Sequence, residues 1–351
     1  MWNRFVLCAA LWGGSSLFSD ETQPPAETTG ETTAQPVPAR QQESPPGPPR
    51  DLPGRGLFDL RDPMPLAELH LQLPIDLLEV YKAGDGKIEL TASWGNSFIL
   101  EKSFLVDAET VSVGLGGWYA PLDDLYLGAE LPVHYRDGGI LDPTIDLVHD
   151  AFGFGEGNRD ERCRNEYEIS ITDLDGDRIE LDRGAGLGDS TLKVHWNVHP
   201  GEKWYPAVAI QGLVSFPTST KGFGSSGVDL GMTIAFSKRV LDPLCLYAVL
   251  GGTYLTDSTT AGLRYERETY QAVAGAEIAI TRRLSFIIQT MNFTPLLERP
   301  APLNRKRNYV AGGLKWEYLE GFTVEFSLIE NYNPFTSSAD LGLAGGFGFR
   351  F

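Results

Sequence analysis

Leu125-Tyr126-Leu127-Gly128-Ala129-Glu130-Leu131-Pro132-Val133-His134-Tyr135 alternates an apolar residue with a small or polar one over eleven positions. Successive side chains of an extended chain point to opposite faces, so a period of two sorts them into an apolar side and a polar side. Ile88, Leu90, Ala92 and Trp94 precede this stretch with the same spacing, as do Val111, Val113, Leu115 and Tyr119. The pattern continues through 192–198, 208–216, 230–236, 244–254, 270–280, 284–288, 310–318, 322–328 and 341–351, which predicts twelve strands. A length of roughly ten residues is what a tilted strand needs to cross a bilayer.

The charged residues inside these stretches keep to the other parity. Glu89, Glu130, His134, Lys193, His195, Asp229, Glu277, Lys315, Glu317 and Glu325 all alternate with the apolar set. A soluble sandwich has the same alternation, with its apolar faces turned together. Two further features favour a barrel in lipid. Apolar-face aromatics gather at strand ends (Tyr119, Tyr135, Phe216, Tyr254, Tyr270, Tyr318, Phe322, Phe351), where headgroups favour amphipathic rings. Connections also alternate in length. Those at 120–124, 199–203, 239–243, 281–283 and 319–321 are short, and those at 101–109, 136–188, 217–227, 256–267, 295–306 and 333–340 are long. The expected fold is therefore all-β: a closed antiparallel transmembrane β-barrel of about twelve strands, with short periplasmic turns and long extracellular loops. The ten charged residues above are its candidate lumen lining.

The remainder of the chain fits an exported protein. Across 351 residues the formal charge is -18, which argues against nucleic-acid partners. Beyond the first twenty residues no apolar run is long enough for a membrane helix. Residues 1–19 have the layout of a signal peptide, with Arg4 before the apolar run Phe5 to Trp12. Residues 20–55 are rich in proline and poor in apolar side chains, as expected of an extended tether. Residues 56–85 form a lead-in, either periplasmic or plug-like, and 86–351 form the barrel. The loop at 136–187 carries a predicted short helix over 143–152 and a hairpin turned at Asp175-Gly176. If it folds into the barrel mouth, Asp142, Asp146, His149 and Asp150 become constriction candidates; otherwise it is a surface excursion.

Several local runs resemble one group of proteins. These are Arg61-Asp62-Pro63-Met64-Pro65-Leu66, Trp94-Gly95-Asn96-Ser97, Glu130-Leu131-Pro132, Asp137-Gly138-Gly139, Asn158-Arg159-Asp160 and Gly186-Leu187-Gly188-Asp189. Together they resemble an uncharacterised family of bacterial outer-membrane β-barrel proteins, catalogued as a domain of unknown function. The resemblance implies an outer-membrane location and a barrel fold, and it brings no substrate. The final alternating run, ending on Phe351, resembles the signal recognised by the outer-membrane assembly machinery.

Residues that carry chemistry are sparse. Asp173, Asp175 and Asp177 fail the calcium-loop pattern, because Arg178 takes the glycine position and Gly184 the twelfth. No metal, cofactor or catalytic residue is assigned. The expected function is a narrow channel or transporter for a small polar solute, with outer-membrane lipid as its surroundings. Two alternatives are an envelope enzyme acting on lipid or polysaccharide through His134 or His195, and a structural or surface-interaction barrel with a closed lumen.

Overall fold

The computed structural model describes residues 54–351, apart from 76–80, 102, 146, 148–161, 173–175, 203, 300–302 and 333–337. The expected signal peptide and nearly all of the proline-rich stretch lie outside the described residues.

Twelve strands form the wall: β1 (Gly86–Glu101), β2 (Phe104–Leu122), β3 (Leu125–Asp137), β4 (Ser190–His199), β5 (Ala207–Phe216), β6 (Asp229–Leu241), β7 (Leu244–Leu255), β8 (Glu268–Ala279), β9 (Leu284–Phe293), β10 (Arg307–Leu319), β11 (Phe322–Asn331) and β12 (Leu341–Arg350). Each pairs antiparallel with its neighbours in the chain. The first and last strands pair as well, from Lys87 opposite Arg350 to Asn96 opposite Leu341, so the sheet closes on itself. Closure leaves no ring strand with an unsatisfied edge, the condition for placing a sheet in hydrocarbon. The sequence expectation of a closed twelve-stranded barrel holds.

Which side faces out is decided by exposure. Leu115 is 55% exposed, Phe326 54% and Phe347 52%, and the alternate residues of the same strands point inward. Apolar side chains exposed all around a wall are a lipid-facing surface, and a soluble sandwich would have buried them. At one end the turns are tight. Asp124 between β2 and β3 takes φ 63°, and Gly321 between β10 and β11 takes φ 78°. Such positive φ values suit short turns that match the strand twist.

The other end is irregular. Within the long connection after β3, Glu168–Thr172 and Arg178–Glu180 form a hairpin. Its first strand runs along Phe104–Asp107 of β2, and Gly184–Leu187 pairs with β3. One expected connection is corrected here: 101–109 is strand, and β1 passes to β2 through residues 102 and 103 alone. The extension holds because the hairpin supplies β2 with a second edge, while Val106 and Ala108 are buried on its inner side.

Candidate functional site

The bore of the barrel is occupied by the chain's own residues 54–75. Its course follows from the partners. Near the short-turn end, the Arg55 N–H donates to Glu277 Oε2 at 2.8 Å and the Arg55 guanidinium meets Glu317 at 2.9 Å. Higher up, the Phe58 N–H donates to Gln289 Oε1 at 3.0 Å. Asp62 then reaches Arg307, which opens β10 at the long-loop end. A 3-10 turn, Ala67–Leu69, reverses the direction. On the return, the Leu71 N–H donates to Asp229 Oδ2 at 3.0 Å, and the Ile75 N–H donates back to Asp59 Oδ1 at 3.0 Å. Tyr81, where the description resumes, packs with Ala120 and Tyr126 at the short-turn end. The segment is thus a U, entering and leaving by the same end.

Its tip is sealed by apolar contact. Met64, Leu66, Ala67 and Leu69 cluster with Phe104, Val106, Ile171, Leu255, Tyr265 and Leu297 under the long loops. Along the arms the wall grips through charge. The Arg61 guanidinium donates to Glu130 Oε2 at 2.6 Å, and Lys193 bonds the same carboxylate. Asp62 is paired with Arg307 and accepts the Tyr309 hydroxyl at 2.6 Å. His70 Nδ1 lies 3.1 Å from Asp229. Arg136, almost fully buried, donates to Gly222 O at 2.9 Å and stands 3.6 Å from Glu68. The Lys315 ammonium donates to Leu57 O at 2.7 Å and pairs with Glu325 at 3.1 Å. Buried charges require such partners, because an unpaired charge out of water is costly. Three of the spaces left between U and wall measure about 60, 50 and 40 Å³, room for a few waters each.

The ten inward candidates therefore stand around this U. Glu130, His134, Asp229, Glu277, Lys315 and Glu317 each bond or face one of its residues, and Lys193 bonds Glu130. Glu89 pairs with Lys87 at 3.0 Å and accepts the Trp118 indole N–H at 3.0 Å. His195 stacks on Tyr126 with ring centroids 4.6 Å apart. Asp142 is not in the bore. It accepts from Asn96 Nδ2 at 3.1 Å and from the Asn165 N–H at 2.6 Å. Asn96 shares the outward parity of β1, and neighbouring Leu141 and Ile145 pack on Trp94 and Leu341 of the same outer face. The loop thus folds against the outside of the wall at this point. Asp146, His149 and Asp150 lie outside the described residues.

His134 Nδ1 is 2.8 Å from Ser112 Oγ, the kind of contact an envelope hydrolase would need. A catalytic relay places histidine between serine and acid. Here the serine bonds Glu68 as well, so it stands between the other two beneath the U. Among the described residues, no group of three or more His, Cys, Asp and Glu has the arrangement of a metal site. The sequence reading missed the apolar part of the inner wall. Tyr247, Val249, Val273, Ile287, Met291 and Ile329 occupy the polar parity yet are buried against Leu57, Phe58, Leu60 and Ile75.

The barrel is similar to the crystal structure of the COG4313 outer membrane channel from Pseudomonas putida F1, with a TM-score of 0.54 at 11% identity over 78% of this chain and 97% of that one. It is also similar to the NanC porin, with a TM-score of 0.43 at 8% identity over 75% and 98% of the two chains. The P. putida toluene transporter TodX gives 0.39 at 9% identity over 77% and 91%. At 11% identity the likeness to the first of these speaks for the fold alone. No curated protein matches the sequence. Residues 53–351 match the family described as Protein of unknown function (DUF3187), and the chain belongs to that family.

Proposed function

We propose that the protein is an outer-membrane channel held shut by its own N-terminal U, with the short turns in the periplasm and the long loops outside. The observation that carries this reading is a closed ring with an apolar outer face and a charged bore, occupied by a segment whose two arms leave at one end. Removing the U opens a passage without breaking the wall. Small solutes are the expected cargo, because a twelve-stranded bore is narrow. The polar character expected of that cargo is supported by the charges on β1, β3 and β4. Export by a signal peptide and delivery by the assembly machinery belong to the same reading.

The test is a reversible lock. Leu57→Cys with Gly275→Cys, in a Cys245→Ser background, joins U and wall where a Cβ on Gly275 meets the Leu57 side chain. Oxidised protein in a planar bilayer is expected to be silent, and reduction to restore intermittent single-channel steps. Equal current in both redox states, or none in either, contradicts the proposal.

A further inference from the structure

The bore has two unlike halves. Facing inward on β1, β3 and β4 are Glu89, Glu130, His134 and Lys193, and among the described residues the apolar cluster beside them is the small one of Tyr81, Ala120 and Tyr126 at the short-turn end. On β6 to β9 the inward side at mid-height carries the apolar Ala235, Val249, Val273, Ile287 and Met291, interrupted by the neutral polar side chains of Thr233 and Gln289. The charges of that arc stand toward its ends, at Asp229 and Glu277. The U matches this division. Arg61 and Glu68 turn to the charged arc. Leu57, Phe58, Leu60 and Ile75 fill the apolar one. The fit is close enough that a Cβ added to Gly275 would lie 2.5 Å from Leu57 Cδ2, and one on Gly251 2.6 Å from Leu73 Cδ1.

We infer that the U occupies the passage as a stand-in for the cargo, and that the channel selects small amphipathic solutes with an apolar body and one ionised group. The inference rests on the proposed channel reading and deepens it. A fully hydroxylated solute would have to shed water along this arc, where a few neutral side chains such as Thr233 and Gln289 are too sparse to replace all its hydrogen bonds. A pure hydrocarbon would leave the opposite charges without exchange partners. A solute with one apolar and one ionised end satisfies both arcs at once, as the U does. The wall therefore stays half apolar when the U withdraws, and this half favours a ring or short alkyl body by the area it removes from water.

Full-length protein carrying Leu57→Ser and Phe58→Ser, which loosen the apolar edge of the U, is reconstituted in vesicles. Mobility on unheated gels checks that the barrel is folded. Entry of phenylacetate is expected to exceed that of glucose by about tenfold, the factor that partial burial of one ring supplies. Adding Val273→Thr and Ile287→Thr is expected to bring the two rates together while small-ion current persists. Glucose entering as fast as phenylacetate, or a ratio that ignores the wall substitutions, overturns the inference. Ion current with no phenylacetate entry overturns it too and leaves the channel standing. Folded protein with no current at all removes the channel reading beneath it.

Discussion

Asp62 is the most heavily bonded residue of the U. It takes a guanidinium from Arg307 and a hydroxyl from Tyr309, accepts the Met64 N–H at 3.0 Å, and is 3% exposed. Removing one member of a buried pair leaves the other charged and dry, at a cost of about 3 kcal/mol. Asp62→Ala leaves Arg307 in that position only while the U is docked, so the cost falls on the shut state. Open probability in single-channel recordings is expected to rise by one to two orders of magnitude, on the order of the factor that energy implies. Unchanged gating would remove Asp62 from the latch. Neither Asp62 nor its partner was legible as a pair in the sequence, where 245 positions separate them. Arg307 fell between the expected connection at 295–306 and the alternation that identifies its strand, which starts only at Val310.

At the level of elements, the alternation that defines a strand says which side a residue takes but not what lies there. Glu130 and Lys193 do stand on the inner side of the wall, bonded to each other beneath Arg61. The sequence reading overlooked Val273 and Ile287 on the same face, apolar residues that a water-filled channel has no reason to carry. Their presence, with Leu57, Leu60 and Leu73 in the lead-in, was the available sign of an occupied bore. The loop after β3 was open to two readings, a constriction and a surface excursion. Its helical spacing and acidic residues fitted a constriction, yet the described part of that turn lies on the outer face of β1. Asp142→Ala loses the bonds from Asn96 and Asn165 and is expected to expose the loop to protease while leaving conductance as it was. A larger current from this variant would place the loop in the passage after all.

For the molecule as a whole, the seam between β1 and β12 completes the ring. Just before it, the Asp85 carboxylate accepts the Lys82 N–H at 2.9 Å and pairs with Arg350 of the last strand. The Lys82 bond, helped by Arg350, holds the Asp85 carboxyl below the usual carboxylate range. A lowered folded-state value means the contribution is present above the unfolded value near 4 and is lost as pH falls through the folded one. Asp85→Asn is therefore expected to lower the unfolding midpoint slightly at pH near 7, by less than about 1 kcal/mol at so exposed a site. Melting curves of the two proteins should converge near pH 3 or below; a gap that persists in acid would assign the seam's strength to other bonds. The seam also anchors one limb of the U, because Tyr81 leads directly into β1, while the opposite limb continues toward the N-terminal side of the chain. A tug on that limb meets the contacts in file: Arg55 first, then Phe58, then Arg61 and Asp62, and the apolar tip last. Contacts met in series yield to a weaker sustained force than the same contacts sheared together, so on the proposed channel reading a pull from the short-turn end is expected to draw the cork while the bottle, closed by its own seam, stays intact.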